Sequence, residues 1–98
     1  MNEITVTELS NVSRPTIIDV REPDEYAAVR VPGAINIPLG TLADAELPEG
    51  DVFVICALGG RSAKATELLT GKGVNATNIA GGTMAWVEAG FPTESGTL

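Results

Sequence analysis

The chain contains no histidine and a single cysteine. Without histidine the commonest general base is missing, so neither a Cys-His pair nor a Ser-His-Asp triad can be assembled from these residues. One thiol cannot form an internal disulfide, and the usual nitrogen and sulfur ligands of zinc, iron and copper are lacking, so no metal site and no cofactor is expected. Aromatic residues make up only 4% of the chain; Tyr26 and Trp86, with Met84, are assigned to the core on that account. No apolar run approaches the roughly 20 residues of a membrane span. The opening MNEITVTELS has no basic region followed by an apolar stretch and a cleavage site, which leads to the expectation of a cytoplasmic protein with no membrane partner. Basic residues are also few. Six Lys and Arg against 13 Asp and Glu give a net charge of −7, which opposes nucleic-acid binding.

What is present suits one domain over residues 1–98, because a chain of this length has material for one core. The segments TIIDV (16–20) and DVFVI (51–55) are short, β-branched and almost continuously apolar, as strands buried on both faces of a parallel sheet are. ITV (4–6), AINI (34–37) and ATNIA (76–80) are weaker strand candidates. EPDEYAAV (22–29) opens with proline and acidic residues in what would be a helix's first turn. RSAKATELLTGKG (61–73) spaces Ala65, Leu68 and Leu69 for one helix face and ends in glycines. TMAWVEAG (83–90) is a further helix, expected to turn Met84, Val87 and Trp86 toward the core, and LGTLADAEL (39–47) holds one short helical turn.

The cysteine ends the apolar run of VFVICALGGRS and precedes a predicted helix starting near Arg61 or Ser62. That places Cys56 at the carboxyl end of a strand, where open α/β sheets bind ligands. Gly59 and Gly60 allow a backbone whose successive N–H groups point inward as an anion nest. The helix N-terminus, the loop amides and the Arg61 guanidinium would each favour thiolate over thiol. A nucleophile is thereby available without a histidine base. Arg61, Lys64 and Lys72 fall close together, with Glu67 the only acidic residue from 52 through 87, so this segment could hold an anion. The competing reading of Cys56 is a small hydrophobe closing a buried strand.

CALGGRS resembles the active-site loop of the rhodanese-like sulfurtransferase family, with its Cys-x-x-Gly-x-Arg-Ser pattern. IDVREPDEY, VPGAINIP and GGTMAWVEAGFP are similar to further family segments and occur in the family's order, spanning nearly the whole chain. Where many members have Gly-His-Ile before Pro-Gly-Ala, this chain has Val29, Arg30 and Val31, so no catalytic role is assigned to Arg30. The resemblance implies an α/β fold: a five-stranded, mainly parallel sheet flanked by helices on both faces. It also implies a Cys56 that takes a sulfane sulfur from a small anionic donor such as thiosulfate and passes it to a thiol or cyanide acceptor. In that picture the N–H groups from Ala57, Leu58, Gly59, Gly60, Arg61 and Ser62 surround the sulfur. Arg61 would hold the donor's anionic end, and Ser62 would cap the helix.

Two other activities remain open on the residues alone. One is a sulfur-carrier or partner-binding module without turnover, whose protein acceptor the sequence does not name. The other is a cysteine-based phosphatase or arsenate reductase, which the loop length disfavours: four residues separate Cys56 from Arg61, whereas phosphatases of this fold and protein tyrosine phosphatases resemble one another in having five. Asp19 and Arg21, at the end of a predicted strand, either support the loop or form an ion pair tying strand to helix. Lys64 could face an anionic substrate, and Glu67 is expected to be solvated. TGKG lacks the spacing of a phosphate loop, and no dinucleotide fingerprint is present.

Overall fold

The structure is a computed structural model that describes residues 1–96. Its elements are β1 (Asn2–Ile4), α1 (Val6–Ser10), β2 (Ile17–Asp19), α2 (Pro23–Ala28) and β3 (Ile35–Asn36), then a 3-10 helix (Leu39–Asp44), β4 (Val52–Ile55), α3 (Gly60–Gly71), β5 (Ala76–Ile79) and α4 (Gly82–Glu88). The strands form one sheet in the order β1-β5-β4-β2-β3, with every neighbouring pair parallel.

Strand alternation distributes the core over both faces of this sheet. Ile18, Val20, Val52, Val54 and Cys56 pack with Ala65 and Leu69 of α3 and Leu42 of the 3-10 helix. On the other face Ile17, Ile55 and Ile79 pack with Val6 and Leu9 of α1, Tyr26 of α2 and Trp86 of α4. The helical connection after β2 therefore runs on one face and that after β4 on the other. Adjacent strands whose connections leave in opposite directions open a crevice at their carboxyl ends. Cys56 follows β4 at that position.

Several expected elements need correction. ITV is not a strand: β1 ends at Ile4, and Thr5 caps a helix, its hydroxyl accepting from the Glu8 N–H while the Glu8 carboxylate accepts from the Thr5 N–H. This capping box overrides the β-branched composition. The helix after the cysteine begins at Gly60, one residue earlier than expected, because Gly59 takes a left-handed φ of 115° as its N-cap. Tyr26 and Trp86 are buried, but Met84 and Val87 are exposed. The core-facing stripe of α4 runs instead through Gly82, Thr83 and Trp86, the buried positions of that helix. Leu68 is likewise exposed, leaving Ala65 and Leu69 to carry the buried face of α3. Among the described residues no helix is long and apolar enough to cross a membrane.

Candidate active site

Cys56 lies beneath its own loop, with only 2% of its surface exposed. Its carbonyl accepts a hydrogen bond from the Thr83 N–H at 2.8 Å, and the Ala57 carbonyl accepts one from the Met84 N–H at 3.0 Å. In a trans peptide the N–H points opposite to the C=O, and among the described residues no peptide bond is cis. Anchoring these two carbonyls on the first turn of α4 therefore turns the N–H groups of Ala57 and Leu58 away from α4. The close approach requires Gly82, whose φ is +59°; a Cβ there would stand 2.6 Å from the Ala57 carbonyl oxygen and closer still to that of Cys56.

The Gly59 N–H donates to the Cys56 sulfur at 3.0 Å, and the Ser62 hydroxyl donates to it at 3.3 Å. Ser62 is thus not the helix cap that the sequence implied. It sits inside the first turn of α3 with its hydroxyl on the thiol, and its carbonyl accepts from Thr66. Burial opposes ionisation of Cys56, but donation from the Ser62 hydroxyl and from the N–H groups of Ser62, Gly59 and Leu58 outweighs it, and the thiol is held below its ordinary range. Three backbone N–H groups and one serine hydroxyl thus favour the thiolate.

Arg61 does not point an unoccupied fork at the sulfur. Its Nη1 and Nη2 donate to the two carboxylate oxygens of Glu25 at 2.7 and 2.9 Å. Glu25 Oε1 also accepts from the Glu22 N–H at 3.0 Å, closing the first turn of α2. The guanidinium beside it, helped by that N–H and against the effect of burial, lowers the Glu25 carboxyl to about 2. Glu25 in turn raises Arg61, and weaker Coulombic support from Cys56 and Asp19 acts in the same sense. The first turns of α2 and α3 are therefore bridged across the crevice. Sequence analysis missed Glu25 because it stands 36 positions before Arg61 and reads as an ordinary acid at a helix start. The anion-holding segment inferred from local charge is corrected accordingly: Arg61 is neutralised by Glu25, and Lys72 donates to the Ala43 carbonyl. Lys64 and Glu67 are exposed on α3.

Asp19 and Arg21 form the ion pair. Arg21 Nε and Nη2 lie 3.0 and 2.8 Å from the two Asp19 oxygens, and Nη2 also donates to the Val29 carbonyl at 2.6 Å. Both residues are buried. The pair ties the end of β2 to the end of α2, and Asn36 adds bonds from β3 to the Asp19 and Arg21 carbonyls. Arg30 is structural as well. Its Nη1 donates to the carbonyls of Tyr26 and Gly96, and its guanidinium lies 4.6 Å from the centre of the Tyr26 ring. Leu58 is 74% exposed on the Cys56 loop, and Met84, whose N–H holds the Ala57 carbonyl, is 45% exposed on α4.

The model of the rhodanese-like domain family matches residues 5–89. The chain belongs to this family. Among its relatives, a sulfurtransferase of Allochromatium vinosum is 32% identical, with 94% of each chain covered. Thiosulfate sulfurtransferase 18 of Arabidopsis thaliana is 33% identical over 76% of this chain and 68% of its own. Other relatives are longer: the chain spans 52% of an uncharacterised Synechocystis protein and 25% of an adenylyltransferase and sulfurtransferase of Ogataea parapolymorpha. In structure, a rhodanese-related protein of Thermoplasma volcanium superposes with a TM-score of 0.89 at 35% identity, covering 96% of this chain and 98% of that one. A human single-domain sulfurtransferase superposes with a TM-score of 0.80 at 29% identity, covering 90% and 96%. The rhodanese-like fold was thus correctly implied by the loop and its three companion segments.

Proposed function

We propose that this rhodanese-like chain is a cytoplasmic sulfurtransferase that carries a sulfane sulfur as a persulfide on Cys56. The observation that carries this reading is a thiol held low and ringed by donors that converge on one sulfur position. The Cys56 thiolate attacks the outer sulfur of thiosulfate. An S–S bond forms to the cysteine as the donor's S–S bond breaks, and sulfite leaves with the bonding pair. The amides and the Ser62 hydroxyl that stabilised the thiolate then stabilise the persulfide anion, so the site needs no proton transfer in this half-reaction. Cyanide or a cellular thiolate attacks the terminal sulfur in the second step and returns the Cys56 thiolate. With cyanide the product is thiocyanate, and charge balances throughout.

Two features support sulfur over phosphate. The loop holds four residues between Cys56 and Arg61, a small nest for three phosphate oxygens. The arginine that a phosphatase would aim at phosphate is engaged on both nitrogens by Glu25. Mass spectrometry of the intact protein tests the reading: thiosulfate should add one sulfur to the wild type and none to Cys56→Ala. A wild type that gains nothing overturns it. A second reading, a carrier that exchanges sulfur with a protein, is favoured by the exposed Leu58 on the Cys56 loop; persulfide formation without thiocyanate turnover would select it.

A further inference from the structure

The cation of the reacting loop is already satisfied by a partner from another helix. Arg61 adjoins Ser62, whose hydroxyl touches the thiol, and a weak Coulombic contribution from Cys56 acts on Arg61. Its fork is nevertheless filled by Glu25 in a two-point bond. The pair is partly exposed, with side chains 39% and 33% accessible, so a ligand in the crevice can reach it. Asp19 and Arg21, at the carboxyl end of β2, are paired with each other and buried.

We propose that Glu25 is a specificity-determining residue of this site: by occupying Arg61 it sets how strongly the Cys56 loop accepts an anion and selects against doubly charged donors. The proposal rests on the sulfurtransferase reading for its substrate and on geometry for its mechanism. A dianion such as thiosulfate gains full use of the guanidinium only by displacing the Glu25 carboxylate. A donor with less charge, such as an alkanethiosulfonate monoanion, reacts by the same displacement and leaves as a sulfinate, but loses less to the occupied arginine. Glu25 also feels its own helix through the Glu22 N–H, so displacing it disturbs the first turn of α2 as well. Glutamine at this position keeps an acceptor for that N–H and removes the charge.

The test separates field from chemistry. Alkylation of Cys56 by iodoacetate, an anion, and by iodoacetamide, its neutral counterpart, is timed for wild type, Glu25→Gln, Arg61→Gln and the double variant. The iodoacetate-to-iodoacetamide rate ratio should rise about two- to fivefold in Glu25→Gln, the scale of a partly exposed ion pair, and fall in Arg61→Gln. The double variant should return close to wild type, because a neutral pair has replaced a neutral pair. In parallel, KM for thiosulfate should fall in Glu25→Gln more than KM for methanethiosulfonate, with kcat for the two donors moving together. A ratio that is unchanged or lower in Glu25→Gln overturns the proposal, as does a double variant that behaves like Arg61→Gln alone. A raised ratio with no sulfur uptake from either donor would support the charge role of Glu25 and overturn the sulfurtransferase reading instead.

Discussion

The Thr83 N–H and the Cys56 carbonyl lie 2.8 Å apart, so the first turn of α4 holds the backbone of the nucleophile. Contact at this distance leaves no room for a side chain at Gly82. Gly82→Ala should therefore displace the loop, combining a clash with the Ala57 carbonyl and a left-handed φ that alanine disfavours. The expected loss is about 1–3 kcal/mol of stability, with persulfide formation falling further than the stability change explains. Denaturant unfolding beside thiosulfate uptake checks both; full uptake by a folded variant would refute the anchoring role.

The Ser62 hydroxyl on the Cys56 sulfur has a separable effect. Removing it in Ser62→Ala leaves the amide donors in place and the helix intact, since Gly59 is the N-cap. The thiol should titrate higher than in the wild type. At pH values where the wild-type thiolate is only partly formed its alkylation should slow by up to about tenfold, the scale of one hydrogen bond to a charged group. A rate-against-pH curve for iodoacetamide that superimposes on the wild type would show the hydroxyl to be inert.

The buried Asp19–Arg21 pair predicts a stability effect. Asp19→Asn leaves Arg21 enclosed beside a neutral group, and breaking a buried pair from one side costs about 3–5 kcal/mol. Urea unfolding measures it. A change under 1 kcal/mol would mean that water or the Val29 carbonyl, which already accepts from Arg21, satisfies the guanidinium unaided.

Much of this architecture was legible because several segments obey simple rules. TIIDV and DVFVI are buried on both faces and read as parallel strands, and the thiol's position follows from the end of DVFVI. The resemblance carried by CALGGRS and its companion segments implied the five-stranded sheet, and the strand order confirms it. The failures share a physical origin. Met84 and Val87 fit a helical spacing, but that spacing does not say which face meets the sheet; Gly82 does, because it must fit under two carbonyls. Local charge made the segment from 52 to 87 look basic, whereas its key partner, Glu25, arrives across the sheet edge. Ser62 was assigned to the cap because serine favours that position, but a left-handed Gly59 had already taken it.

The surface position of Met84 yields a direct check of that correction. Met84→Gln should change stability by no more than about 0.5 kcal/mol, as a substitution on an exposed helix face does. Trp86→Ala, two positions on, removes a ring packed against Phe91 with centroids 4.8 Å apart and a hydrogen bond to the Pro92 carbonyl; it should cost about 3–5 kcal/mol. Similar losses for the two variants in urea would return Met84 to the core.

Acid provides the last test. Glu25 is lowered to about 2 from an ordinary value of 4.5, so the folded state binds its proton more weakly than the unfolded state does. A group depressed in this way contributes stability that is fully present above its unfolded pKa and is lost as pH falls through its folded pKa. The Glu25–Arg61 contribution should therefore be constant at neutral pH, decline below about 4.5 and vanish near 2. Partial exposure limits it to about 1 kcal/mol at most. The stability difference between wild type and Glu25→Gln, followed by urea unfolding from pH 7 downward, should shrink across that window while the absolute stability of both proteins changes with their other carboxylates. A difference that stays constant down to pH 3 or grows as acid is added would show that the carboxylate is not held by Arg61 in solution.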